Sequence, residues 1–135
     1  MDELVIKYYR RLCKTGFKNA GSLENPSIFL DTVGEKIRIC SHVSQSFIHI
    51  YINIRGGIID DIRYLCTCDP TANVVVELLC DLTRGKTIKE AEALSAESFS
   101  QALGSREEEF LKKSNGIIEL LHRGLARYRT GPAAK

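Results

Sequence analysis

The stretch Cys66-Thr67-Cys68-Asp69-Pro70 joins an alternating apolar run to a segment with helical periodicity. Asp69 fits a helix N-cap, and Pro70 fits the first helical position, where its missing N–H group costs nothing. A helix over residues 71–84 is therefore predicted, with Gly85 as the residue that follows it. The N–H groups at the start of such a helix favour a nearby thiolate or bound anion. This joint, with two thiols and a carboxylate, is the best candidate site in the sequence.

The composition is typical of an ordinary globular domain. The chain has 135 residues, of which 44% are apolar and 27% are charged, and its net charge is +2. One domain over residues 1–135 is predicted, and it is long enough to bury roughly two thirds of the surface of the unfolded chain. A net charge this small does not favour nucleic acid as a partner.

The sequence also lacks the signals of a membrane or exported protein. No apolar run approaches the roughly 20 residues that a membrane-spanning helix needs, and the start MDELVIKYYRR is acidic before it is basic, unlike a signal peptide. We therefore expect a cytoplasmic protein with no membrane partner. The chain has five irregularly spaced cysteines. In the reducing cytoplasm, such cysteines are more typically buried, reactive or metal-bound thiols than parts of a disulfide framework. They are Cys13, Cys40, Cys66, Cys68 and Cys80.

Alternating apolar residues predict three adjacent antiparallel strands over residues 36–43, 47–54 and 58–65, with a hairpin turn at Gly56 and Gly57. Before them, a short extended piece is expected over residues 27–33, followed by a turn at residues 34 and 35. In the first strand, Cys40 and His42 share one face. In the third, simple alternation places Ile59 and Ile62 on opposite faces.

Helical periodicity predicts the remaining elements. A first amphipathic helix is expected over residues 2–14, and capping-box patterns at residues 87–90 and 105–108 mark two later helix starts. A short helix is expected over residues 95–103, and residues 114–116 are expected to interrupt the last helical region. The fold class is therefore α+β: a three-stranded antiparallel sheet with an N-terminal helix and several C-terminal helices packed on it.

Three runs of residues carry a resemblance to a known family. They are Asn19-Ala20-Gly21-Ser22-Leu23, the run from Gly57 to Tyr64, and the run from Gly85 to Ala91. In this order, across essentially the whole chain, they resemble the IscU/NifU N-terminal type of iron–sulfur cluster assembly scaffold. The resemblance implies a protein that is not an enzyme. A cysteine desulfurase would deliver sulfur to it, iron would be added, and the resulting 2Fe–2S cluster would pass to acceptor apo-proteins.

The resemblance also implies a metal site formed by three cysteines and an aspartate. Cys40 matches the first cysteine, and His42 stands at the position of the aspartate, where histidine is itself a competent ligand. The second cysteine position corresponds to Asp69 without a gap, or to Cys68 after a shift of one residue, and both stay open. Cys66 lies one strand period before Cys68 and is a further candidate.

The third cysteine of the family has no counterpart in this chain. The position of this cysteine corresponds to Lys112, Lys113 or Ser114. Many members engage a chaperone through a Leu-Pro-Pro-Val-Lys motif, and residues 109–113 stand in its place. Since the family cysteine at this position accepts sulfur, assembly of a cluster by the usual route is not implied.

Three functions from different classes are therefore compared. The leading hypothesis is a scaffold or carrier that holds a labile iron–sulfur cluster or iron, with zinc also compatible with a sulfur-rich site. The alternative is a cluster-free adaptor that binds a cysteine desulfurase or another cluster protein. The third is a thiol-redox or sulfur-carrier role for Cys66 and Cys68. His49 and His122 lie in patterns of core or surface positions and indicate no acid/base enzyme, and we expect a monomer or a weak homo-oligomer.

Overall fold

The computed structural model describes residues 2–37, 39 and 46–130. The helices are α1 (Glu3–Thr15), α2 (Thr32–Glu35), α3 (Pro70–Thr83), α4 (Ile88–Glu92), α5 (Ala96–Leu103) and α6 (Glu108–Thr130), and the strands are β1 (Ile28–Asp31), β2 (Phe47–Arg55) and β3 (Ile58–Thr67). The three strands form one antiparallel sheet in the order β1-β2-β3. The predicted α+β class is confirmed.

The hairpin of β2 and β3 is the centre of the sheet. Its turn is made by Gly56 and Gly57, whose φ angles of 61° and 76° suit a tight two-residue connection. On β2, every second residue from Ile48 to Ile52 is buried and faces the helices.

A bulge in β3 changes which residues face the core. Asn53 pairs with Asp61 while Ile54 pairs with Ile59, so that Asp60 is left over. Ile59 and Ile62 are consequently both fully buried. Simple alternation placed them on opposite faces, and this prediction was wrong because the extra residue reverses the alternation.

The first strand of the sheet is formed by the short extended piece expected over residues 27–33, and not by the strand predicted over residues 36–43. It is Ile28–Asp31, and the Asp31 side chain then accepts a hydrogen bond from Val33 N at 3.1 Å and starts α2. Lys36 has a left-handed backbone with φ 59°, and Ile37 follows outside any strand. The prediction of a strand beginning at residue 36 was therefore wrong, because a capped helical turn intervenes. Residues 38 and 40–43 of that predicted strand lie outside the described residues.

The helices form a layer on one face of the sheet. Helix α3 packs on β3, α6 packs on β1 and on α3, and α1 packs on α3. Helix α6 runs without a break, so the predicted interruption at residues 114–116 was wrong: Ser114 Oγ donates within the helix to Phe110 O at 2.9 Å. Among the described residues, no helix is long and apolar enough to cross a membrane.

Candidate functional site

The joint between β3 and α3 brings two sulfur atoms together. Cys66 lies opposite Ile48 in the sheet, and its sulfur is bonded to that of Cys68 in a disulfide. Both residues are half-buried and pack against the edge of the hydrophobic core. The side chains of Cys66 and Cys68 therefore point the same way, as expected from their spacing of one strand period. On reduction, this joint presents two thiols side by side.

Asp69 is engaged through both of its carboxylate oxygens. Its Oδ1 accepts a hydrogen bond from Ala72 N at 2.8 Å and caps α3, with Pro70 as the first helical residue, as predicted. Its Oδ2 lies 3.3 Å from the Lys113 ammonium on α6. The carboxylate therefore ties the start of α3 to α6.

Lys113 is the residue whose role the sequence did not reveal. Its side chain is only 5% exposed, and its Nζ donates to the backbone oxygen of Ile39 at 2.5 Å as well as to Asp69. The signal was present in the sequence, since Lys113 interrupts an apolar stripe between Phe110 and Ile117, which are both fully buried. A charge on an apolar stripe indicates a buried partner.

The other candidate ligands are distributed as follows. Cys40 and His42 lie outside the described residues, although Ile39, which precedes Cys40, is buried and bonded to Lys113. Within the described part of the chain, no group of three or more His, Cys, Asp or Glu side chains is arranged to hold a metal ion. The structure thus brings Cys66, Cys68 and Asp69 to one joint.

Neither His49 nor His122 has a contact with residues 66–70 among those described for it. His49 is half-buried, its ring contacts Phe29 and Phe47, and its Nε2 lies 3.4 Å from Asp31 Oδ1. His122 lies on α6, and its buried Nε2 has no hydrogen-bond partner among the described residues. Within the described residues, neither histidine belongs to a group of three or more His, Cys, Asp or Glu side chains that could hold a metal ion.

The two remaining cysteines differ sharply in exposure. Cys13 is exposed on α1, whereas Cys80 is fully buried in α3. Burial is the main cause that raises the pKa of the Cys80 thiol, and Glu77 adds to it. Cys80 is therefore an inert core residue.

A buried polar network ties α3 to β3 and to the segment at Asn19. Glu77 is completely buried in α3, and its carboxylate accepts hydrogen bonds from Asn19 Nδ2 at 2.8 Å and from the Tyr64 hydroxyl at 3.0 Å. Burial, followed by the charge of Glu77, raises the pKa of Tyr64. Ala20 also pairs with Tyr64 in a parallel bridge, so the run that begins at Asn19 holds β3 against α3.

Comparison with known proteins identifies the fold. No protein-family model matches the sequence, and no curated protein is similar enough in sequence to count as a match. A solved structure from Fervidobacterium islandicum AW-1, described as a candidate iron–sulfur cluster assembly scaffold protein for the SUF system, superposes with a TM-score of 0.62 at 16% identity, over 93% of this chain and 96% of that one. The fold is that of the IscU/NifU-type scaffolds.

A second solved structure supports the same assignment. The N-terminal part of a nitrogen-fixing NifU-like protein from Brucella abortus superposes with a TM-score of 0.52 at 14% identity, over 94% of this chain and 81% of that one. At identities this low, the two superpositions establish the IscU/NifU-like fold but not the function. At the joint of β3 and α3, the fold brings together Ile39, the start of α3 and the start of α6.

Proposed function

We propose that this chain carries an iron–sulfur cluster, or the iron for one, as cargo and passes it to acceptor apo-proteins. The observation that supports this most is the pair of sulfur atoms at the start of α3, beside a segment that leads directly to a third cysteine, Cys40. Thiolates select iron–sulfur clusters or zinc over magnesium or calcium. The thiols must be reduced for this role, since the thiolate is the ligand.

Cys40, Cys66 and Cys68 are the proposed sulfur ligands, with His42 as a fourth candidate. The sequence left Cys68 and Asp69 as alternatives for one ligand position. Asp69 has both oxygens engaged, one at the α3 cap and one at Lys113, and releasing either would cost a hydrogen bond. Cys68 is therefore the better ligand, and Asp69 orients the helix that follows it. A mixed sulfur and nitrogen set would hold cargo loosely, which suits its transfer.

The proposal is tested by anaerobic reconstitution of the reduced protein with iron and sulfide. Visible charge-transfer absorption and bound iron are expected for the wild type, and both are expected to be lost in Cys40→Ala and in Cys68→Ala. Cys13→Ala is the matched control, because this exposed thiol lies on α1, outside the joint, and the variant should keep both signals. A reduced wild-type protein that binds neither iron nor cluster would contradict the proposal.

One observation favours a second function, a cluster-free adaptor that binds a cysteine desulfurase. The Lys113 ammonium stands in the register where the family resemblance places a sulfur-accepting cysteine, and it is paired with Asp69. If the chain is an adaptor, the wild type, Cys40→Ala and Cys68→Ala should all capture a purified desulfurase equally well, and none of them should need bound iron. Loss of capture in either variant would count against this second function.

A further inference from the structure

Lys113 is the one buried cation among the described residues. Its exposed fraction is 5%, whereas Glu109, its neighbour one turn earlier on α6, is half exposed. A buried ammonium is costly unless several acceptors surround it. The partners that lower this cost indicate what Lys113 does.

The acceptors of Lys113 come from separate segments of the chain. The backbone oxygen of Ile39 accepts at 2.5 Å, the Asp69 carboxylate lies at 3.3 Å, and the Glu109 carboxylate lies at 3.7 Å on the same helix as Lys113. An ammonium has three donors and no acceptor, so it acts as a point charge that several oxygens can share. One cation therefore links residue 39, the start of α3 and α6.

Packing around Ile39 supports the same link. Ile39 is buried, and a Cβ atom placed on Gly116 would lie 3.2 Å from its Cγ1. The side chain of Ile39 is thus seated on α6 one turn after Lys113, while its carbonyl accepts from Lys113. The segment that leads to Cys40 is held from both its side chain and its backbone.

We propose that the Lys113 ammonium is a built-in cation that fixes these three segments without a metal ion, so that the joint is assembled before any cargo binds. By resemblance, a cysteine ligand belongs in the register of residues 112–114, and a metal bound there would link the same three segments. In this chain, a side chain on α6 supplies the positive charge that a metal would supply. The proposal concerns the cargo-free protein and stands apart from the proposed cargo function.

The test is thermal unfolding of the reduced protein in a metal chelator. Lys113→Met keeps much of the length and apolar character of the side chain but removes the charge, which leaves Asp69 without its buried partner. We expect the melting temperature to fall by about 10 °C. The matched control is Lys112→Met, the exposed neighbour on α6, for which a change within about 2 °C is expected.

Asp69→Asn separates the ion pair from the helix cap. Asparagine caps a helix about as well as aspartate, so this variant keeps the bond to Ala72 N and removes only the charge. The double variant with Lys113→Met should lose less stability than the sum of the two single losses. In Lys113→Met, hydrogen exchange should also accelerate at the amides of Ile39 and of the first turn of α3.

Two results would overturn the proposal. One is a melting temperature of Lys113→Met, in chelator, equal to that of Lys112→Met. The other is strict additivity, in which the double variant loses as much stability as the Asp69 and Lys113 single variants together. This comparison can be made at low temperature even if Lys113→Met is only marginally folded. Neither measurement involves iron, so failure of the cargo proposal would leave this result unaffected.

Discussion

Asn19 shows how one side chain holds together a buried network. Its amide nitrogen donates to Glu77 Oε1 at 2.8 Å and to Asp81 Oδ1 at 3.1 Å, while its oxygen accepts from Arg84 at 2.7 Å. Because Glu77 is fully buried, its carboxylate depends on these protein donors in place of water. The family-like run that starts at Asn19 is thus explained by hydrogen bonding to α3.

Asn19→Ala should destabilise the protein by about 2–3 kcal/mol, since it leaves the buried carboxylate of Glu77 short of a donor. The free energy of unfolding in urea measures the effect. Asn115→Ala is the control, because Asn115 is exposed on α6, and a change within about 0.5 kcal/mol is expected for it. Equal losses in the two variants would show that the network does not stabilise the fold.

At the scale of elements, the close approach of α6 to β1 depends on Gly124. A Cβ atom there would lie 2.5 Å from Leu30 Cδ2 and 3.1 Å from Ile28 Cγ2. Alanine gains about 1 kcal/mol of helix propensity, but the overlap with two buried side chains costs about 1–3 kcal/mol. A net loss of about 1 kcal/mol is expected for Gly124→Ala in guanidinium unfolding. Gly116→Ala, where the nearest atom is 3.2 Å away, should be nearly neutral, and the reverse order would contradict this packing.

The link between α2 and α6 makes stability depend on pH. Glu35 lies 2.6 Å from Arg127, and this hydrogen bond is the main cause that lowers the pKa of Glu35 below its usual 4.5, with Arg123 adding to it. A carboxyl whose pKa is lower in the folded state stabilises the protein above the unfolded value, and this contribution is lost as the pH falls through the folded value.

Glu35→Gln should therefore be less stable than the wild type at pH 7, and the difference should shrink as the pH is lowered to 3. Urea unfolding of both proteins at the two pH values measures the difference. The reason is that the protonated Glu35 of the wild type resembles glutamine at low pH. A difference that persists unchanged at pH 3 would show that the carboxylate charge is not the cause.

Local signals in the sequence were sufficient for the elements that local interactions determine. Asp69 and Pro70 begin α3 as predicted, and Thr87 forms the expected capping box with Glu90. An extended piece over residues 27–33 was predicted, but its place in the sheet as β1 was not, because a four-residue strand is defined by its pairing with β2. The bulge at Asp60 and the unbroken α6 likewise depend on partners that are distant in the chain.

The candidate site follows the same division between local signals and contacts across the chain. The residues of the joint were identified from the change of periodicity at residues 66–70. The pairing of Asp69 with Lys113 spans 44 positions of the chain, and no local pattern encodes it. The charge of Lys113 on an apolar stripe indicates that a buried partner exists, but not which residue it is.

At the scale of the whole molecule, loading with cargo should depend on the redox state of the joint. Two of the three proposed sulfur ligands are joined in the Cys66–Cys68 disulfide, and a disulfide does not supply thiolates. We expect oxidised protein to bind no Zn²⁺, used here as a probe, and reduced protein to bind it. Competition with a chromogenic chelator measures the binding.

The same experiment links cargo binding to stability. A ligand that binds only the folded state stabilises it, by about 2.7 kcal/mol at a free concentration one hundred times Kd. Zn²⁺ should therefore raise the melting temperature of reduced wild type and of Cys13→Ala. The increase should be smaller for Cys66→Ala and for Cys68→Ala. If oxidised and reduced protein bound Zn²⁺ equally, the thiols of the joint would not be the ligands. The cargo would then have to bind elsewhere, although the fold and its Lys113 link would stand unchanged.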